Sequence, residues 1–588
     1  MNRRLLQLLA LMAALMLFAA ACSGGEEGDD TEVDATEEDA GAAEDEEAAD
    51  EPTDEEEAAP EGTEEEAAST GGGEGTLSVY ICEPESLIPQ NTNETCGSEV
   101  LHAIYSPLVT YDSETNEAQW GEDSPRAMAA DITSDDNQVW TITLKEGWTF
   151  HDGEPVTAQS FADAWNFGAL STNAQGNSYF FGPDVLNIEG FEDLQGETDD
   201  EGNIVSEPAA EEMSGLNVVD DTTLEVTLGA PFSGFPTVLG YTAFYPAHPS
   251  LLEDPESFNE QPIGNGPYML NGPWEHDVAI STTRFEDYGG EPAQNGGVEF
   301  QIYAEINTAY NDLLAGNLDI MDSVPPEQLG SVADQFGDRF IERPSSSFTY
   351  IGFPTYDPAF ENPDLRKAFS MAIDRPAIIS AIFNDTFTPA DAMVTPVVDG
   401  YREGACAEAC TYDPEAAAQL FEEAGGYDGT LTLWFNSGAG HEEWMEAVAN
   451  QLRQNLGIED IQFESLQFAD YLGRLDNQEI TGPFRLGWVM DFPLPVNYLA
   501  PIHGTGGSSN NTGYSNPEVD SLIQEGLAAE STEEAIELWN QAEDLIIEDM
   551  PIIPMWFGLV QGAHSENVDN VTIDAFTHIG LADVSVSS

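Results

Sequence analysis

Residues 23–75 carry no basic and no aromatic side chain, only Glu and Asp set among Ala, Gly, Thr and a few other small residues. Like charges repel there and almost nothing apolar can be buried, so the stretch cannot offset the entropy of ordering itself. It reads as an extended acidic tether, residues 22–75, with a stretched reach on the order of 150 Å. Ordered structure is therefore expected from Thr76 onward. The chain has 588 residues, and what remains after the tether exceeds one core of ordinary size, so two or three lobes are expected.

The other end of the tether reads as an export signal. Arg3 and Arg4 precede an apolar run from 5 to 21, then Cys22, Ser23, Gly24 and Gly25. Ala19-Ala20-Ala21-Cys22 resembles the bacterial lipoprotein signal, with Ala19 where that pattern usually has Leu. The resemblance implies a signal peptide over 1–21, lipidation of Cys22 and attachment to the outer face of the cytoplasmic membrane. The competing reading is an uncleaved membrane helix, for which the run is at the lower limit of length.

Charge excludes one class of partner. Lys and Arg total 14 against 111 Asp and Glu, a formal net charge of -97, and Lys stands only at Lys145 and Lys367. No basic patch could neutralise nucleic-acid phosphates. Such a surface repels itself in dilute buffer and is tolerable where salt shortens the Debye length, which points to a saline exterior; the plainer alternative is solubility alone. Apart from Cys22 the cysteines fall into two local pairs, Cys82 with Cys96 and Cys406 with Cys410. In an exported protein these are expected as disulfides. A metal at Cys406-x-x-x-Cys410 would lack a second Cys pair and a nearby His, so no metal and no cofactor are expected.

Local patterns give an α/β body. Thr76–Ile81 and Val139–Leu144 alternate as half-buried strands, and a helical pattern runs from Ser98 through Leu101, Ile104 and Tyr105. Asp152-Gly153 is a hairpin-type turn, Thr157 can cap a helix with Phe161, Ala164, Trp165 and Gly168 on one face, and Asn362-Pro363 starts another with Leu365, Ala368, Phe369 and Ala372 inward. Gly264-x-Gly266 is a tight turn before Tyr268, since no helix with a later ribose-binding acid follows.

Trp140-Thr141-x-x-Leu144 and Phe150-His151-Asp152-Gly153-x-Pro155-Val156-Thr157-Ala158 resemble the signature of the family 5 solute-binding proteins, the peptide receptors of ABC importers. The likeness continues in order through Pro262-Ile263-Gly264-Asn265-Gly266-Pro267-Tyr268, Leu365-Arg366-Lys367-Ala368-Phe369 and Gly487-Trp488. It implies a bilobed, type II binding-protein fold with an inserted domain and an interlobe cleft. Domain I would comprise 76–106, 248–343 and 558–588, domain II 107–247 and domain III 344–557. The implied partners are a peptide ligand and the permease and ATPase of an importer, with the protein a monomer held to the membrane by its lipid alone.

The resemblance also assigns a site. Asp491, after the Gly487-Trp488 strand, matches a carboxylate that pairs with a peptide amino group, and Arg485 matches an Arg that can meet the carboxylate end. Gly487, Trp488, Val489 and Met490 on one side and Asn93, Glu94 and Thr95 on the other match segments that bond the ligand backbone; Tyr179 is placed near them. From the residues alone, 484–490 is a strand with an edge that could pair with an extended ligand, or an ordinary buried strand ending in a turn-capping Asp. Where many relatives have a second acid, the chain reads Asp491-Phe492-Pro493-Leu494-Pro495. Oligosaccharide or another solute, or sensing without transport, are the alternatives. An enzyme is not expected: His441-Glu442-Glu443-Trp444-Met445 has Met where a zinc protease needs its second His.

Overall fold

A computed structural model describes residues 75–587 except 123, 184, 199–203 and 438–439, all within one compact unit. The signal, Cys22 and all of the acidic tether but its last residue, Gly75, thus lie outside the described residues. No described helix is long and apolar enough to cross a membrane.

The chain begins with β1 (Thr76–Ile81) and α1 (Thr95–Ile104), followed by β2 (Ala129–Thr133), β3 (Val139–Leu144), α2 (Ala158–Ala169), β4 (Leu216–Asp220) and β5 (Thr223–Thr227). Next come β6 (Tyr268–Leu270), β7 (Ala279–Arg284), β8 (Gly297–Ile302), β9 (Ile320–Met321), β10 (Phe340–Gly352) and α3 (Pro363–Met371). The last elements needed here are β11 (Leu431–Asn436), α4 (Glu442–Leu456), β12 (Ile461–Leu466), β13 (Phe484–Trp488), α5 (Val496–His503) and β14 (Ile552–His564).

One large mixed sheet runs β6-β7-β8-β1-β9-β14-β10-β13-β11-β12. Its spine is the antiparallel pair β10 and β14, thirteen residues each. The His564 end of β14 takes β9, and the Gly352 end of β10 takes β13, so the same two strands serve both halves of the sheet. Between them the ladder breaks: Pro344 faces Leu559 and Phe348 faces Phe557, leaving three residues opposite one. A proline cannot donate to a ladder and an uneven count bends the strands, so the sheet changes direction there.

A separate antiparallel sheet, β2-β3-β5-β4, is covered by α2. Trp140, Ile142 and Leu144 of β3 are buried, as are Phe161, Ala164, Trp165 and Gly168 of α2, the expected inward faces. The turn at Asp152-Gly153 forms with Gly153 at φ +91°, a conformation that suits glycine. Gly264 is needed for a different reason: a Cβ there would stand 2.0 Å from the carbonyl oxygen of Ile104, where α1 ends. Asn362 caps α3 through Asp364 N at 3.0 Å. Near the end of that motif Arg375 is 1% exposed, and its guanidinium bonds the carbonyls of Pro554 (2.5 Å) and Cys410 (3.2 Å), tying the second cysteine pair to β14.

Two expected boundaries shift. The first helix starts at Thr95, three residues before Ser98, because the Glu94 carboxylate accepts from Cys96 N (2.7 Å) and Gly97 N (2.9 Å) and caps it. The strand expected over 484–490 ends at Trp488, where pairing with Phe348 stops and Val489 turns outward, 56% exposed.

Both cysteine pairs are bridged, Cys82–Cys96 across a separation of 14 and Cys406–Cys410 across 4. The chain-entropy relation assigns about 3 kcal/mol to the longer loop and about 2 kcal/mol to the shorter. Replacing both members of each pair by Ser and measuring urea unfolding should therefore give the larger loss for Cys82–Cys96. A larger loss for Cys406–Cys410 contradicts loop closure as the source.

Candidate functional site

β13 pairs along its length with β10, but on its other edge only Phe484 meets a strand, at Trp434 of β11. From Arg485 to Trp488 that second edge has no strand beside it among the described residues. The chain then passes Val489, Met490 and Asp491 and enters α5 through Pro493 and Pro495.

Asn497, in the first turn of α5, folds back over this turn. Its Oδ1 accepts from Asp491 N (2.9 Å) and from Trp488 Nε1 (3.2 Å), while its Nδ2 donates to Asp491 Oδ2 (2.9 Å). The Tyr179 hydroxyl donates to Asp491 Oδ1 at 3.5 Å. Both side-chain bonds favour the ionised acid, yet burial prevails and pushes the Asp491 carboxyl up to about 6. Around it stand Tyr111, Tyr241 and Tyr498, whose phenols burial holds above their ordinary value, with the charge of Asp491 adding to the effect. An anion is thus held among aromatic rings, half-buried and facing a cavity, with no Lys, Arg or His within ion-pair distance among the described residues.

That cavity, about 650 Å³, is lined by Val489, Met490 and Asp491 on one side and by Asn93, Glu94 and Thr95 on the other. Asn93 and Thr95 are exposed on the wall, whereas the Glu94 carboxylate is occupied in capping α1. Cys96, bridged to Cys82, fixes the start of the helix behind them. Arg485, Gly487, Trp488 and Tyr179 do not line this cavity.

Arg485 lies instead toward β11. Its Nη1 donates to Asn436 Oδ1 at 3.2 Å, its Nε is buried without a partner, and burial holds the guanidinium below its ordinary pKa. No carboxylate comes within ion-pair distance of it among the described residues. His441, dismissed above as half of a protease motif, is electrostatically coupled to it: burial and then the Arg485 charge drive the imidazole down to about 4. Trp444 Nε1 donates to His441 Nδ1 (3.2 Å), so the proton of the neutral ring sits on Nε2, which is also buried without a partner. Trp434 Nε1, on the neighbouring strand, is a third such donor. Unpaired buried donors of this kind are costly unless an acceptor arrives.

Among the described residues, two clusters have metal-like composition. In one, Cys82 and Cys96 are consumed by their disulfide. In the other, His248 Nδ1 accepts from Ser250 N at 3.2 Å, so its Nε2 carries the proton and donates to Asp152 Oδ2 at 3.2 Å; this is a hydrogen bond made with the nitrogen a metal would need.

The raised Asp491 pKa makes a stability statement. The folded protein binds this proton more tightly than the unfolded chain, so the penalty for ionising it is absent below about pH 4 and grows until about pH 6. Discounted for its partial exposure, Asp491→Asn should stabilise the ligand-free protein by about 2 kcal/mol at pH 7 and by nothing at pH 4. Thermal unfolding at the two pH values checks this, and equal stability of the two proteins at pH 7 counts against a desolvated carboxylate.

Residues 125–510 match the family model described as bacterial extracellular solute-binding proteins, family 5. The oligopeptide-binding protein OppA of Bacillus subtilis is 25% identical over 520 residues, 85% of this chain and 90% of that one. Among solved structures, the murein tripeptide binding protein MppA of Escherichia coli superposes with a TM-score of 0.70 at 21% identity, covering 87% of this chain and 98% of that one. Haemophilus influenzae OppA in complex with the peptide RPPGFSPFR does so at 0.68 and 21%, covering 87% and 99%. The structural likenesses agree with the expected bilobed, mixed α/β binding-protein fold. By the span of the family match, which covers the strand, turn and helix motifs and the Asp491 turn, this chain belongs to the family 5 bacterial extracellular solute-binding proteins.

Proposed function

We propose that the protein captures oligopeptides between two lobes outside the cytoplasm and presents them to the permease and ATPase of an ABC importer. The observation that carries this reading is Asp491, an anion kept from water beside an unpaired strand edge. A peptide amino group is the cation that site lacks, and main-chain bonds along β13 hold whatever residues follow, indifferent to their side chains. From Asp491 back to Arg485 the chain spans at most roughly 20 Å, room for an extended peptide of several residues. Arg485 Nε, His441 Nε2 and Trp434 Nε1, three buried donors without acceptors, suit a carboxylate at the far end. Asn93 and Thr95 face the same cavity from the other side. The relatives named above bind peptides, which supports the same assignment.

On this reading domain I comprises 76–106, 248–343 and 558–588, domain II 107–247 and domain III 344–557, and the break in the β10–β14 ladder at Pro344 and Phe348 is where closure would bend the molecule. Cys22 carries the lipid that anchors a monomer to the outer face of the membrane, and the acidic surface suits a saline exterior. The role is binding without catalysis. An oligosaccharide has less support, because no Trp lines the cavity among the described residues and Trp165, Trp444 and Trp539 are fully buried in cores. Losing the second acid of related sequences leaves Asp491 to meet the amine with only Asn497 and Tyr179 as hydrogen-bond partners.

Asp491→Ala should weaken binding of an unmodified tripeptide by two or more kcal/mol, the scale of removing one partner of a buried charge pair. Acetylating the peptide amine should cost the wild-type protein as much and cost the variant little more. Calorimetry reads both, and an acetylated peptide that binds wild type as well as the free amine contradicts the assignment.

A further inference from the structure

The cavity continues beyond Asp491 to a second polar wall. There α1 presents Ser98 and His102, and the segment 572–583 presents Asp574 and His578. The two imidazoles stack with centroids 3.7 Å apart and planes at 29°. His102 Nδ1 is bonded to the Ser98 carbonyl at 2.8 Å, and burial pushes the ring down to about 3, so it is neutral with its Nε2 lone pair left as an acceptor.

Asp574 is the charge of this wall, about a fifth exposed. Its Oδ1 accepts from Phe576 N and His578 N, both at 2.9 Å, and its Oδ2 stands 3.6 Å from His578 Nδ1. Burial works against ionisation, but the His578 ring and these bonds hold the carboxyl below its ordinary value. Behind His578 lie two further acids, Asp322, raised by burial to about 6, and Glu99, which burial raises well above its ordinary value and which bonds Ile579 N at 3.2 Å. The cation that lines the cavity, Arg126, is already engaged by both oxygens of Asp583 at 2.9 Å each.

Tyrosines join the two acids. Asp491 raises the pKa of Tyr111 and Tyr241, both of which also feel Tyr245, and Tyr245 in turn feels Asp574. Tyr245 and Tyr105, their centroids 5.5 Å apart, line the cavity at 0% and 2% exposure, and both hydroxyls are buried without a hydrogen-bond partner.

We infer that the space between Asp491 and Asp574 is a second cation subsite, which takes the Lys or Arg side chain of a peptide's first residue while its amino group rests on Asp491. Asp491, Asp574, the acceptor Nε2 of His102 and the rings of Tyr111 and Tyr241 line that cavity, and the Arg126 guanidinium in its wall is spent on Asp583, so a desolvated ammonium or guanidinium finds acceptors, anions and aromatic faces there. The first residue is the one concerned because its side chain leaves from the carbon that bears the amine. This rests on the peptide reading above and adds a side-chain preference to it.

The test is calorimetry on the full-length protein at pH 7 with lysyl-alanyl-alanine and norleucyl-alanyl-alanine, which differ at the first residue by a charged amino group. The wild-type protein should bind the lysyl peptide about tenfold or more tightly than the norleucyl peptide. Asp574→Asn should bring that ratio to about one by weakening only the lysyl peptide, a split that a general loss of loop structure would not produce. Asp491→Asn should weaken both. Equal wild-type affinities overturn the subsite and leave peptide capture standing, whereas binding of neither peptide overturns the reading on which it rests. Should Asp574→Asn fail to fold, the wild-type ratio alone decides.

Discussion

A carboxylate held away from water with no cation beside it is unstable by construction, and much of the site follows from how Asp491 is kept there. Taking a charge out of water costs several kcal/mol, and two hydrogen bonds, from Asn497 and Tyr179, recover only part of that. The remainder appears as a carboxyl raised to about 6. The fold tolerates this because the acid sits on a turn fixed at both ends, by the ladder of β13 against β10 and by the two prolines that lead into α5. On the proposed reading, the stability given up at Asp491 is recovered when a peptide amine arrives.

The same logic places the site at the junction of the two halves of the sheet. β10 and β14 run through both, and their register break at Pro344 leaves three residues facing one. β13 joins just beyond that break, pairing with Phe348–Gly352 of β10. On the opposite wall the Cys82–Cys96 bridge and the Glu94 cap hold Asn93 and Thr95 in place without using their side chains. On the proposed reading, rigid flanks on both sides would let main-chain bonds to a peptide form with little ordering cost.

How much of this could be read from the sequence depended on range. β1 and β3 have the bounds their alternation requires, and Asn362 and the cysteine pairs did as local chemistry demands. Asp491 and Tyr179 were named in advance and do meet, though only the order of motifs along the chain pointed to them. The sequence reading passes over Asn497, although an Asn after Pro-x-Pro, two residues too late to cap its helix, is a signal that its side chain is spent elsewhere. The sequence shows His441 only as half of a metal motif, because its coupling to Arg485 joins the start of α4 to β13. His102 lies more than four hundred positions before Asp574 and His578, and in a chain with 111 acids no single Asp carries information until the fold brings it to a wall.

Proton release on binding tests the role of Asp491 most directly. Near pH 6 about half of the ligand-free molecules carry the Asp491 proton, and an ammonium drawn to that carboxylate must displace it. Calorimetry of one tripeptide in buffers of different ionisation enthalpy should show about half a proton leaving per peptide at pH 6, where the peptide's own amine is already charged, and none from Asp491→Asn at the same pH. Binding at pH 6 with no proton released, or with the same release from the variant, would mean that the amine is met by some other group.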